Sequence, residues 1–202
     1  CGFFEDESST LAQAQEAKLR IICSKLQLNK HDRIVEIGSG WGGFAIYAAK
    51  NYGCHVTTTT ISDEQYAHVK KRIVEEELTN NIALLKRDYR DMEGEFDKLV
   101  SVEMIEAVGS QFLDTYLKKC SSLLKPDGVM LLQAITIQDQ RYDRALKSVD
   151  FIQKYIFPGG FIPSVTAVVE SARRVSDLRL FDLEDIGPHY ARTLMQDRKS
   201  GS

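Results

Sequence analysis

The stretch Val35-Glu-Ile-Gly-Ser-Gly-Trp-Gly-Gly43 decides how this chain is read. Arg33–Ile37 has the apolar character of a short strand, and it runs into glycines at 38, 40, 42 and 43. Helix-like sequence follows, with Phe44, Ala45, Ile46, Ala48 and Ala49. A strand that enters a helix through a glycine turn sets backbone N–H groups against a nucleotide-like ligand. Glycine is required because a Cβ would obstruct both the tight turn and the close approach. Two ligands fit the spacing. Gly38, Gly40 and Gly43 satisfy the dinucleotide fingerprint, a weak motif alone. Gly38, Gly40 and Gly42 satisfy the Gly-x-Gly-x-Gly form typical of S-adenosylmethionine sites. A dinucleotide site needs an acid for the ribose at the end of the second strand, about 20 residues on. Here the second strand, His55–Thr60, ends in threonines, and Asp63 and Glu64 arrive only inside the next helix. Trp41 also stands in the turn where a pyrophosphate would approach. The loop therefore favours S-adenosylmethionine over a dinucleotide, with a purely structural turn as the third reading.

Working outward, residues 10–28 read as an amphipathic helix. Thr10 and Gln13 have capping-box spacing, and Leu11, Ala14, Ala17, Ile21, Ile22 and Leu26 form its apolar stripe. After the glycine turn a helix runs to about Tyr52, and Ser62 is an N-cap for a helix to about Leu78. Strands are predicted at Ile82–Lys86 and Lys98–Val102, then a helix over about 111–124. Pro126-Asp127-Gly128 forms a turn into a fifth strand, Val129–Ile135. This alternation predicts an α/β fold with a mostly parallel central sheet and helices on both faces. Residues 139–165 are long and aromatic for a connection, with Pro158-Gly159-Gly160 and Pro163 as breakers, and read as a lid or substrate pocket. Leu178–Leu183 reads as a further strand, and the chain beyond Gln196 as a frayed end.

At 202 residues the chain suits one domain with a substantial core. Its 43% hydrophobic and 27% charged content is ordinary for a globular protein, and with a net charge of −3 nothing suggests a nucleic-acid footprint. Lys70-Lys71-Arg72 and Arg173-Arg174 read as solvated helix faces. Four cysteines, at 1, 23, 54 and 120, lack Cys-x-x-Cys spacing, which argues against a zinc site or disulfide framework and suits a reducing cytosol. No apolar run reaches the length of a membrane span and no signal peptide is visible. Cys1 in place of an initiator Met implies a start further upstream.

Further motifs follow in order: Cys1-Gly-Phe-Phe-Glu-Asp6, Thr60-Ile-Ser-Asp-Glu-Gln65, Asp88-Tyr-Arg-Asp91, Ser101-Val-Glu-Met-Ile-Glu-Ala-Val-Gly109, Lys154-Tyr-Ile-Phe-Pro-Gly-Gly160 and His189-Tyr-Ala-Arg-Thr-Leu194. With the glycine loop, this set resembles the cyclopropane-fatty-acyl-phospholipid synthases and mycolic acid cyclopropane synthases, which are S-adenosylmethionine-dependent methyltransferases. The likeness runs from Cys1 to about Met195. It implies a class I Rossmann-like methyltransferase domain over residues 1–202, with 139–165 as a substrate or lid insertion and the C-terminal strands incomplete. The resemblance places the cofactor on Glu36, Gly38, Ser39, Gly40, Trp41 and Gly42, with the glycines along its methionine part. Thr60, Ile61, Ser62 and Gln65 continue the site, Thr60 and Gln65 holding ribose hydroxyls. Asp88 and Tyr89 fall where such folds hold adenine, although Asp88 alone reads as a loop acid or helix cap. The family's Tyr-Ser pair before Cys1 is absent from this sequence, as is its C-terminal segment.

A methyl on a sulfonium is electrophilic enough for an alkene to attack it, and the resulting carbocation must lose a proton before a ring can close. Aromatic faces stabilise such a cation by about 0.5–2 kcal/mol each. Tyr142, Tyr155, Phe157, Phe161 and Tyr190 are candidates, with core packing as the competing role. The resemblance implies a bound bicarbonate as proton acceptor, cradled by Cys1, Glu106, Gln133, Ile135 and Tyr190. A carboxylate beside an anion in a dry site requires a shared proton, so Glu106 would accept the bicarbonate O–H. The Tyr190 O–H and Ile135 N–H would donate from other sides. Without the resemblance Glu106 is a loop acid. Gln133 and Ala107 stand where many members have histidine. Glutamine still donates and accepts but never charges.

The resemblance further implies phospholipid acyl chains as substrate at the inner membrane leaflet of a cytoplasmic protein, no metal, and a homodimer as an allowed state. Fatty-acyl C-methylation without ring closure and small-molecule N-methylation are alternatives, as is a cofactor- or lipid-binding module without catalysis.

Overall fold

β1 (Arg33–Ile37) lies at the centre of a five-stranded sheet in the computed structural model, which describes residues 1–148, 154–155 and 159–200. Around it run β2 (His55–Thr60), β3 (Ile82–Lys86), β4 (Phe96–Val102) and β5 (Leu124–Gln133), in the order β3-β2-β1-β4-β5. All four pairings are parallel. The order reverses between β1 and β4, so their carboxyl ends open a crevice where such sheets bind ligands. Val35 and Ile37 are sealed from solvent, as expected of a central strand covered on both faces.

Two compact units divide the chain, Asn29–Leu180 and Cys1–Leu28 with Phe181–Ser202. The first holds the sheet, flanked by α2 (Gly43–Tyr52), α3 (Asp63–Glu75) and α4 (Leu113–Ser122), with α5 (Asp139–Leu146) and α6 (Val165–Val175) following. Its main core gathers Val35 and Ile37 with Leu99, Ile105, Tyr116 and Leu117. The expected helices and the first four strands are present, with ends moved by a few residues. β5 differs more. It starts at Leu124 and stops at Gln133, leaving Ile135 beyond it. Pairing steps from Phe96↔Leu124 to Lys98↔Val129, two residues on β4 against five on β5. Pro126-Asp127-Gly128 is therefore an irregularity within the strand rather than a turn before it, as suits a proline that cannot donate to a ladder.

Other expectations change. Leu178–Leu183 forms no strand: no strand among the described residues pairs with it, and Leu180, Phe181 and Leu183 are exposed. Arg174 lies on an exposed helix face, as read, and also makes a specific contact. Its guanidinium grips Asp114 of α4 with two bonds, at 2.9 and 2.6 Å, and Ser171 donates to the same carboxylate. This pair pushes the Asp114 carboxyl down to about 2. Phe161 sits in the core rather than in an open pocket, and its N–H donates to the Glu106 carbonyl at 2.9 Å. Of the predicted lid, Asp139–Leu146 is helical and Tyr155 is exposed, while residues 149–153 and 156–158, including Phe157, lie outside the described residues.

In the second unit α1 (Leu11–Lys25) carries the expected capping box, with Thr10 and Gln13 satisfying each other's backbone N–H. α7 spans Gly187–Ser200, so the predicted frayed end is helical to Ser200. The segment before α1 lies close against that helix. Phe3 N–H donates to the Ala14 carbonyl at 2.8 Å, and a Cβ on Gly2 would stand 2.8 Å from that of Ala14. Gly2→Ala should destabilise this unit by about 1–3 kcal/mol through overpacking, read as an earlier chemical unfolding midpoint.

Candidate active site

The turn after β1 has left-handed backbone at Gly38 (φ +88), Gly40 (φ +48) and Gly42 (φ +84). A Cβ on Gly38 would lie 3.1 Å from Met104 Cγ, and one on Gly42 3.1 Å from Val69 Cγ1. Gly40 differs, because a Cβ there would meet no atom within 4 Å. The chain thus packs tightly at both ends of the turn and leaves an open concavity at its middle. Ser39 N–H donates to the Thr59 carbonyl and Gly42 N–H to the Ser39 carbonyl, both at 2.8 Å, while Arg72 of α3 reaches the Trp41 carbonyl at 3.3 Å. The Trp41 ring is exposed and meets the His68 ring edge-on, 5.3 Å between centroids.

β2 presents a run of threonines, and the hydroxyls of the last three are engaged. Thr58 donates to Glu36 at 2.6 Å, across the register pair Glu36↔Thr58. Thr59 donates to the Arg87 carbonyl. Thr60 donates to Gln65 Oε1 at 2.8 Å and accepts from Ser62 N–H. Ser62 caps α3 through Gln65 N–H, as expected, and Ile61 is exposed beside it. The Gln65 amide NH2 has no partner among the described residues. Glu36 is buried in the sheet, and desolvation raises its carboxyl to about 8 against the opposing Thr58 hydrogen bond. Asp88 caps the short turn Tyr89–Asp91 and accepts three bonds from Arg90, from its backbone N–H, Nε and Nη2. That pairing lowers the Asp88 carboxyl, against the desolvation that raises it. Tyr89 packs edge-on against buried Tyr116, 5.5 Å between centroids. An open glycine cradle, a neutral Thr60–Gln65 pair and an aromatic beyond β3 suit an adenosyl ligand with an amino-acid tail.

After β4, Glu103 takes positive φ (+50) and the chain turns through Ile105–Ala107. Glu106 Oε1 accepts the Ile135 N–H at 2.6 Å, whereas its Oε2 is sealed from solvent with no partner among the described residues. Desolvation raises the Glu106 carboxyl, and the Ile135 hydrogen bond works against this. The Ile135 N–H, expected to donate to an anion, donates to Glu106 because β5 ends two residues earlier and frees that backbone to turn. Gln133 Nε2 donates to Glu103 at 2.8 Å. Glu103 was not singled out in the sequence, since only its backbone geometry reveals it; Thr58 had a signal, a hydroxyl row beside a buried strand acid. Glu106 and Ile135 are thus brought together, and Gln133 is held by Glu103 on the same loop as Glu106.

Cys1 and Tyr190 belong to the second unit. Cys1 is half-buried, donates to the Gly2 carbonyl at 3.2 Å and lies 3.8 Å from Thr193 Oγ1. Tyr190, in the first turn of α7, is exposed. Cys23, Cys54 and Cys120 are buried thiols, and no cysteine is in a disulfide.

A family model described as mycolic acid cyclopropane synthetase matches residues 1–200. The chain is 40% identical over 195 residues to the cyclopropane-fatty-acyl-phospholipid synthase of Escherichia coli K12, covering 96% of this chain and 48% of that protein. It is 36% identical to the tuberculostearic acid methyltransferase UfaA1 of Mycobacterium tuberculosis, over 91% of this chain and 43% of the relative. The chain therefore spans about half the length of these curated relatives. A solved mycolic acid cyclopropane synthase, CmaA1 complexed with SAH and CTAB, superposes with a TM-score of 0.88 at 30% identity, over 97% of this chain and 72% of that one. The fold is Rossmann-like, of the S-adenosylmethionine-dependent methyltransferase type.

Glu36 makes the stability of the sheet depend on pH. Its folded carboxyl keeps a proton up to about 8, whereas an unfolded one loses it near 4.5. Stability should therefore fall as pH rises through that window, by up to about 1.4 kcal/mol per pH unit. Glu36→Gln keeps an acceptor for Thr58 and removes this titration, so its unfolding free energy should decline less steeply over that window than the parent's.

Proposed function

We propose that this chain, which belongs to the mycolic acid cyclopropane synthetase family, transfers a methylene group from S-adenosylmethionine to the cis double bond of unsaturated phospholipid acyl chains, forming a cyclopropane ring. The observation that carries the reading is the sealed, unpartnered Oε2 of Glu106 beside the crevice at the sheet's reversal. The names of the relatives supply the substrate class, and the complex of CmaA1 with SAH supports the cofactor.

S-adenosylmethionine, when bound, supplies the sulfonium methyl that an alkene attacks. Around it the glycine turn accommodates the amino-acid tail at Gly40, where no protein atom competes for the space. Gln65 turns its free amide toward the ribose while Thr60 holds the other end of that side chain. Tyr89 backs the adenine, itself supported by Tyr116. Glu106, fixed through Oε1 to Ile135, offers Oε2 as the acceptor for the O–H of a bicarbonate, which orients the anion and makes its other oxygens more basic. A bicarbonate held there would supply the base for the proton released as the ring closes. Family resemblance assigns Cys1, Gln133 and Tyr190 to the same anion. Access to acyl chains is at the inner leaflet, and no helix among the described residues is long and apolar enough to cross a membrane.

A second reading, methylation without ring closure, draws on the name of the relative UfaA1. Mass spectrometry of lipids from a host lacking the enzyme and expressing the full-length protein separates the two. Gain of one CH2 with retention of the alkene, or a saturated methyl branch in the untreated lipid, would overturn ring formation.

Gly40→Val should abolish S-adenosylmethionine binding in calorimetry, because its side chain fills the space at the middle of the turn. Glu106→Gln should slow ring formation by roughly 10²-fold or more, the scale of a lost acid–base group, and more than Tyr190→Phe. Stripping dissolved CO2 should slow the full-length enzyme and added bicarbonate restore it.

A further inference from the structure

We propose that His189 is a positioning residue: its imidazole Nδ1 holds the segment that ends in Cys1 onto α7, and so sets the Cys1 thiol and the backbone of Tyr190 together. The inference rests on the anion-site reading for what Cys1 and Tyr190 do, and on the geometry of the second unit for how they are held.

Three successive backbone donors of this segment go to three different partners. Gly2 N–H donates to Thr193 Oγ1 at 3.0 Å, Phe3 N–H to the Ala14 carbonyl at 2.8 Å, and Phe4 N–H to His189 Nδ1 at 3.1 Å. In this bond Nδ1 acts as the acceptor. The same ring stacks on Phe3 with centroids 4.2 Å apart. Arg192 lies over the Phe4 ring, 4.2 Å from its centroid, and donates to the carbonyls of Asp6 and Glu7. His189, Arg192 and Thr193 have i, i+3, i+4 spacing and so share one face of the helix. Thr193 closes the arrangement by donating to the His189 carbonyl at 3.0 Å and lying 3.8 Å from Cys1 Sγ.

Packing alone does not explain a histidine here. Phe4 is buried, and a buried N–H without an acceptor is costly, so the position needs a ring that also accepts. A phenylalanine at 189 would keep the stack and orphan the Phe4 N–H. An asparagine would put Oδ1 close to the place of Nδ1 and lose the stack. Tyr190 follows His189 in the same helical turn, so the contact that fixes Cys1 also fixes the backbone that carries the phenol.

The test uses the full-length protein and three readouts: alkylation of Cys1 by iodoacetamide, followed on its own peptide by mass spectrometry; the bicarbonate concentration giving half-maximal rate; and S-adenosylmethionine affinity by calorimetry. His189→Phe should speed Cys1 alkylation roughly 3- to 10-fold, the scale of one lost hydrogen bond, and raise the bicarbonate requirement by a similar factor. Cofactor affinity should not move, and His189→Asn should bring alkylation back toward the parent rate. Alkylation of His189→Phe at the parent rate would overturn the proposal, as would a His189→Asn chain as reactive as the phenylalanine one. A parent enzyme indifferent to bicarbonate sinks the anion reading alone, and the alkylation rates then still decide the role of His189. Should His189→Phe fail to fold, hydrogen exchange of the Phe4 amide in the parent decides: strong protection supports the bond, and exchange at the rate of an open amide refutes it.

Discussion

The left-handed turn that follows β1 is the constraint from which the rest of the sheet unit is organised. Gly38 and Gly42 accept backbone angles that a side chain resists, and each sits where a Cβ would strike a neighbour, Met104 in one case and Val69 in the other. Those neighbours belong to the loop after β4 and to α3. The turn therefore joins the middle strand to both sides of the crevice, and Gly40 between them stays clear. Tightness at the ends makes room at the centre.

Polar side chains buried behind this turn follow the same economy of position. Parallel register sets Thr58 opposite Glu36, and the next two threonines reach the Arg87 carbonyl and Gln65. A valine strand would pack as well but would leave Glu36 without a donor, and an uncompensated buried carboxyl is costly. The row of hydroxyls explains why a strand end built to meet a ligand lacks an acid: the acid is one strand over, held neutral by burial.

Local signals in the sequence carried the fold a long way. Glycine spacing, the Thr10–Gln13 box and the Ser62 cap depend on residues a few positions apart, and each is found as read. Features that depend on distant partners were not legible. Arg174 is exposed as read, but its ion pair was hidden because the carboxylate lies 60 positions away, at Asp114. Residues 178–183 have the apolar content of a strand, yet composition says nothing of a neighbour to pair with. Phe161 looked like part of a pocket because breakers surround it, while its side chain fills the core. Around Glu106 the residues were readable only through family likeness, and the Ile135 hydrogen bond follows from where β5 stops, which the apolar run through Ile135 concealed.

The irregularity at Pro126-Asp127-Gly128 has a mechanical meaning for the crevice. Beyond it β4 and β5 run in step through five consecutive pairs, from Lys98↔Val129 to Val102↔Gln133. Slack introduced at the start of β5 is absorbed in the bulge and is not passed along the ladder to Gln133 or to the turn at Ile135. The bulge works as an expansion joint. It gives the strand a place where chain length can vary, by mutation or by an inserted probe, while the end that faces the chemistry keeps its alignment.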